Sequence, residues 1–297
     1  MDSSDPVTAL RLVAAVAVMS YASLLDWRTR RIDNVYWIGL SILGLALIPI
    51  QLRIDEQPIE YLLVLIPVLA ILADVYWDAG KGTTLANLAP AMKYAVAIVA
   101  IVLLGYLWFN ETYFQHLLAV PIMMLFIVLM YMLDIIRGGA DAKALLALSI
   151  LFPFYPAIGP FPMFEAANDS TEILFPFSFI ILVTAAVIVA FFPLGFMIKN
   201  LSNHEFRFPQ GFLGYKMDAE DINGRHVWLM ERIEGGRHRA YTRPRADEDL
   251  EKEVGLLAGA DFKRIWVTPK IPFVVPMLVA LVFSSVVGNL LLAFFQV

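Results

Sequence analysis

Apolar residues run through this chain in long blocks separated by short polar stretches. A run of about 20 apolar residues is long enough to cross the hydrocarbon core of a bilayer as a helix. By that measure the blocks predict eight spans, at roughly 7–25, 35–52, 60–77, 91–109, 114–136, 142–155, 173–197 and 271–295. The third carries Asp74 and Asp78 near its end. The sixth is short, closed by Pro153 and Pro156. It predicts a tilted, re-entrant or lodged helix, because irregular backbone at membrane depth is tolerated only against protein or a water-filled cavity.

One segment breaks the pattern. Residues 198–270 hold three of the four histidines and a large share of the Lys and Arg. His226–Ile233 and Arg239–Thr242 flank Gly235-Gly236, a pattern that predicts a β-hairpin. Ala246–Leu257 reads as a helix and Phe262–Thr268 as a further strand. The segment is thus expected to be a small α+β insert between the last two spans.

Composition fits a membrane as the main solvent. Hydrophobic residues make up 60% and charged residues 16%, with a mean hydropathy of +0.71. Soluble domains carry roughly 45–50% apolar and about 25% charged residues. The net charge of −5 is spread among loops, so no nucleic-acid partner is expected. No basic region precedes the first run, which therefore reads as a retained helix and not as a cleavable signal.

Basic residues orient the spans. Arg28, Arg30 and Arg31 crowd the first loop, which the positive-inside rule assigns to the cytoplasm. Alternation then puts 78–90, 137–141 and 198–270 inside as well. The opposite loops, 53–59, 110–113 and 156–172, contain Arg53 as their only basic residue. Both readings predict an even number of spans with the termini outside.

Several chemistries are excluded. With no cysteine there is no disulfide, thiolate site or cysteine nucleophile. His116, His204, His226 and His238 lack zinc-ligand spacing. No Gly-x-Ser-x-Gly turn, phosphate loop or dinucleotide turn is present. Carboxylate chemistry remains. Acids at membrane depth cost about 2.5–3.5 kcal/mol on insertion scales and are functional candidates by default. Asp26, Asp74, Asp134 and Asp141 qualify.

Asp26 ends the first span and Asp141 opens the sixth, both at the predicted cytoplasmic boundary. Two carboxyls about 3–5 Å apart cannot both ionise cheaply, so one keeps its proton near neutral pH. The ionised member can then activate a water while the other polarises a carbonyl. Each residue also has a plainer reading. Asp26 beside three arginines fits a solvated interfacial acid, and Asp141 a first-turn acid favoured by the helix dipole. Gly138-Gly139 fits an ordinary turn, and Lys143 a topology anchor. Asp134 would lie two turns before Asp141 if the helix continues, as a third acid or a local hydrogen-bonding group. Asp74 and Asp78 fit snorkelling interfacial acids, and Trp27, Tyr36 and Trp37 an aromatic belt.

Taken together, the motifs resemble the type IV prepilin peptidases, most closely the archaeal preflagellin and prepilin branch of these GxGD-type intramembrane aspartyl proteases. The first is Asp26-Trp-Arg-Thr-Arg-Arg-Ile-Asp-Asn34, matching at Asp26, Ile32 and Asn34, with Asp33 where proline is usual. The second is Gly138-Gly139-Ala140-Asp141-Ala142-Lys143, with Ala140 in place of a glycine. Trp266–Phe273, leading into the last span, is also similar to archaeal members. The resemblance implies an aspartic endopeptidase with Asp26 and Asp141 catalytic. Gly138, Gly139 and Lys143 become candidates for substrate binding or pKa tuning.

Its implied partners are pilin-like or flagellin-like precursors, whose short basic leaders would be removed at the cytoplasmic face of the cell membrane, and membrane lipids. Bacterial relatives add a four-cysteine zinc module and N-methyltransferase activity. Without cysteine, peptidase activity alone is expected, with no metal or organic cofactor. Two readings from other classes compete: a proton-coupled transporter with an intramembrane acid relay, and a non-catalytic membrane anchor for pilus or flagellum assembly. In the insert, Asp218, Glu220, Asp221 and the run 247–251 are either a receiver for a basic leader or a solvated acidic face.

The expected fold class is an all-α polytopic membrane protein of about eight transmembrane helices with a small cytoplasmic α+β insert. A helical bundle over 1–197 would carry both acids, followed by the insert at 198–270 and a final helix at 271–297.

Overall fold

A computed structural model describes residues 6–76, 84–164, 169–242 and 249–289, with only the backbone at 84–90. The chain divides into two compact units, one of residues 1–186 with 272–297 and the other of residues 187–271.

The first unit is helical. Its elements are α1 (Pro6–Thr29), α2 (Asn34–Ile54), a 3-10 turn (Ile59–Val64) running into α3 (Leu65–Tyr76), α4 (Thr84–Leu107), α5 (Thr112–Met132), α6 (Gly139–Leu151), α7 (Asp169–Leu174), the first part of α8 (Phe177–Ala190), and α13 (Val274–Val286) near the chain's end. Among the described residues, five stretches are long and apolar enough to cross a membrane: 6–29, 34–54, 59–76, 112–132 and 177–202. Ala91–Leu107 and Val274–Val286 are shorter apolar helices. The architecture is that of a polytopic, mainly helical membrane protein.

At its centre lies α6. Every residue from Ala144 to Leu151 is buried, which explains why this helix is apolar all round and not along one stripe. Its 13 residues rise only about 20 Å, less than the roughly 30 Å hydrocarbon core, so it is lodged among neighbours as its shortness foretold. The most intimate neighbour is α2. A Cβ added at Gly44 would lie 2.9 Å from the Leu151 amide nitrogen and 3.0 Å from Ile150, so the missing side chain lets the two backbones touch. The hydroxyls of Ser149 and Ser178 tie α6 to α8 at 2.9 Å.

Helix α1 packs chiefly on α13, and its Ala15, Met19, Ala22 and Ser23 are buried. Ser23 donates to the Val274 carbonyl at 3.4 Å. The first helix and the last thus close the bundle against each other. Helices α3 and α4 are joined at Asp74, which accepts from the Tyr94 hydroxyl at 2.7 Å and pairs with Lys93 at 3.5 Å.

The predicted seventh span, 173–197, is not one rod. Helix α8 stops at Ala190, and α9 (Phe192–Ser202) starts with Pro193 in its first turn. Proline has no N–H for the preceding turn and crowds its carbonyls, so the helix breaks at Phe191.

The second unit adds α9, α10 (Gln210–Leu213), β1 (Tyr215–Asp218), α11 (Ala219–Ile222), β2 (Val227–Leu229), β3 (Glu231–Glu234), β4 (Arg237–Ala240), α12 (Leu250–Gly259) and β5 (Arg264–Pro269). Strands β1, β5 and β2 form an antiparallel sheet with β5 central. Tyr215 pairs with Val267, and Val227 with Pro269. Its core holds Ile222, Val227, Leu229, Val254, Leu257, Ile265 and Val267. The hairpin turning at Gly235-Gly236 is present as β3–β4.

The expected first strand, 226–233, is divided at Met230. Residues 227–229 pair with β5 and only 231–234 join the hairpin. Met230 links both, donating to the Trp266 carbonyl and accepting from the Tyr241 amide. The expected helix 246–257 begins at Leu250, where Asp249 caps it by accepting from the Lys252 amide. Residues 246–248 lie outside the described residues.

Candidate functional site

Asp26 and Asp141 sit at helix ends that the fold brings together. Asp26 lies one turn before the end of α1. There the Asp26 carbonyl accepts the Arg30 amide at 3.1 Å, and Thr29 folds its hydroxyl back to the Leu25 carbonyl at 2.9 Å. Arg30 leaves the helix with a left-handed φ of 56°. Asp141 is the third residue of α6, with Gly138 as N-cap. Helices α1 and α6 pack on each other, and the Asp26 carboxylate acts electrostatically on Asp141. Arg30 in turn acts on Asp26, its own guanidinium drawn below its ordinary value by burial and held up by that carboxylate. Both acids are half-buried, with Ala22, Ser23 and Ala142 buried beneath them. Two carboxyls brought close enough to share one proton would titrate as a pair, with one serving as base and the other as acid.

Gly138 is more than a turn residue. A Cβ there would stand 1.9 Å from Oδ2 of Asp141 and 2.6 Å from its Cγ. The carboxylate thus occupies the space that any other residue's side chain would fill. Gly139 is different, for a Cβ there would meet only the Tyr131 hydroxyl, at 3.5 Å. Tyr131, near the end of α5, overhangs the start of α6 and was not singled out by the sequence.

Lys143 follows Asp141 by two residues, and residues so spaced do not face each other on a helix. Its ammonium donates to Oδ1 of Asn34 at 2.9 Å and lies 5.8 Å from the Tyr76 ring centroid. The hydrogen bond links the stretch that follows Asp26 to the stretch that contains Asp141.

Other expectations change. Helix α5 ends at Met132 and does not continue to 136, so Asp134 is not on a common helix with Asp141. It occupies an exposed left-handed turn, φ 56°, a conformation that Asp tolerates better than most residues. Asp74 is held by Lys93 and Tyr94, while Asp78 lies outside the described residues. Trp37 does not belong to an aromatic belt: it is completely buried in the bundle, whereas Trp27 is exposed. Arg11, overlooked in the sequence, is a buried cation within α1. Among the described residues no group of three or more His, Cys, Asp or Glu could hold a metal ion.

Comparison with known proteins bears on this site. The family "Archaeal Peptidase A24 C-terminus Type II" matches residues 207–290. The chain is also 21% identical over 280 residues to the preflagellin peptidase of Methanococcus voltae, covering 92% of each chain. The two matches support the prepilin and preflagellin peptidase family, as the motifs around Asp26 and Asp141 implied.

Proposed function

We propose that this multi-pass membrane peptidase is an intramembrane aspartyl endopeptidase that removes the short basic leader of pilin-like or flagellin-like precursors at the cytoplasmic face of the cell membrane. What supports the reading is that α1 and α6, which carry Asp26 and Asp141 each within its motif, pack on each other. The preflagellin peptidase relative supports a precursor of that class, and the Arg28, Arg30 and Arg31 loop supports the cytoplasmic face.

The chemistry follows from the shared proton. The ionised carboxylate takes a proton from a water lying between the pair, and that water attacks the scissile carbonyl. The protonated carboxyl donates to the carbonyl oxygen as negative charge develops there. On collapse the proton passes to the leaving amine, and the pair returns to one proton between two oxygens. Gly138 leaves room for the Asp141 carboxylate, and Asn34 with Lys143 joins the two motifs. The peptidase chemistry needs no cofactor, and methyl transfer is not part of the proposed activity.

The test is leader removal from a pilin-type precursor by membranes containing the chain, followed as a mobility shift. Asp26→Asn and Asp141→Asn are each expected to be inactive although inserted, since the amide keeps the shape but cannot exchange the proton. Cleavage by the native chain should fall on both the acid and alkaline sides of an optimum, because only the singly protonated pair works. Asp134→Ala should keep most activity. Continued cleavage by either Asn variant would remove the dyad.

A further inference from the structure

The bundle contains a second feature that the proteolytic reading leaves unused. An apolar cavity of about 840 Å³ lies between α4, α5, α7 and the start of α8. Its floor is one face of α5, where lining residues recur at 115, 118, 119, 122, 123 and 126, the spacing of a continuous helical stripe. From Gln115 to Phe126 the stripe rises about 16 Å, close to half of the roughly 30 Å hydrocarbon core. Trp108, Leu174 and Phe179 form the walls. Polarity is confined to one end, where Gln115 and Ser170 line the cavity near the first turns of α5 and α7. That end of α5 is the one far from Asp141.

We propose that this groove binds one acyl chain of a membrane lipid, taken from the leaflet opposite the two aspartates. The occupant follows from the surroundings. Helix α5 and the stretch containing α8 are apolar enough to span a membrane, so the groove opens among lipid chains. Water gains almost no hydrogen bonds from such walls, and an empty groove forfeits the dispersion contacts of all its lining atoms. A hydrocarbon chain restores those contacts. The polar end at Gln115 and Ser170, with the Trp108 indole beside it, suits the chain's ester and headgroup region, where Trp is favoured. Ile122 is 49% and Leu174 70% exposed, which leaves the groove open sideways for a chain to enter.

The experiment uses the full chain in vesicles of phosphatidylcholine and phosphatidylglycerol containing a phosphatidylcholine with a diazirine in its acyl chain. After irradiation, labelled peptides are mapped by mass spectrometry. Label at 115–126 and 170–179 is expected to exceed that on the lipid-facing stretch 92–103 of α4 at least severalfold. Ile122→Trp and Leu174→Trp, both at open positions, should fill the groove and bring its labelling down to the α4 level without unfolding the protein. Equal labelling of groove and α4 in the native chain, or no change in both Trp variants, would overturn the proposal. A second copy of the chain is the competing occupant. The chain has no cysteine, so Ile122→Cys provides a single thiol. It should stay monomeric under oxidation, and an efficient disulfide-linked dimer would sink the lipid assignment.

Discussion

The Asp141 carboxylate lies where a side chain on Gly138 would have to be, with 1.9 Å between Oδ2 and the position of a Cβ at residue 138. Gly138→Ala should therefore turn Asp141 away from Asp26 while leaving both acids in the chain. A displacement of about 1 Å at a reacting group can cost around 100-fold in rate, and a loss of that order is expected in the precursor cleavage assay with the protein still folded. Gly139→Ala meets no such obstacle and favours the helix, so it should retain most activity. Equal activity in the two variants would show that the space over Gly138 has no part in the reaction.

The Lys143–Asn34 hydrogen bond offers a separate measurement. Lys143→Met and Asn34→Ala should each lower cleavage about 5-fold, the worth of roughly 1 kcal/mol for one such bond. The double variant should be no worse than either single one, as for partners in one interaction. Additive losses would mean that the two side chains act independently.

Gly44 tests the bundle and not the chemistry. Gly44→Leu would drive a side chain into the Leu151 and Ile150 backbone, 2.9–3.0 Å from the first added carbon. Overpacking of this kind costs about 1–3 kcal/mol, which should lower the thermal midpoint in detergent. Gly39, on the same helix, has nothing within 4 Å of an added Cβ, and Gly39→Ala, which favours the helix, is expected not to lower the midpoint.

In the second unit, Glu231 is buried and accepts the Trp266 amide at 3.1 Å, with His238 3.6 Å from its other oxygen. Glu231→Ala leaves a buried amide of β5 without its acceptor, which costs about 1–3 kcal/mol. Faster proteolysis within 199–242 is the expected result. Glu231→Gln keeps an acceptor and should be much milder.

Apolar run length alone was enough to read α1, α2, α4 and α5, of 21 to 24 residues each, and the 18-residue stretch 59–76 that holds the 3-10 turn and α3. It could not reveal the break at Phe191, since the run continues through Pro193 without loss of hydropathy. Nor did it foresee the end of α5 at Met132, where Leu133 and Ile135 keep the stretch apolar although the backbone has turned. The strand boundary at Met230 was hidden for a related reason: β2 and β3 read as one β-prone run, and only their partners differ. At the candidate site, the motifs name the two acids and the helices that hold them. The reason for Gly138 was not legible, since a turn and a vacated space call for the same residue. Trp37 was misjudged because an aromatic near a helix start suits an interface and a core equally, and only packing decides.

The contact of α1 with α13 has a bearing on how the molecule is made. During synthesis the first helix enters the bilayer long before the helix it will chiefly rest against, and Asp26 must wait for Asp141 until four intervening helices have been inserted. On the proposed aspartate pair, a chain halted anywhere before residue 141 would carry one acid without its partner and should not cleave a precursor.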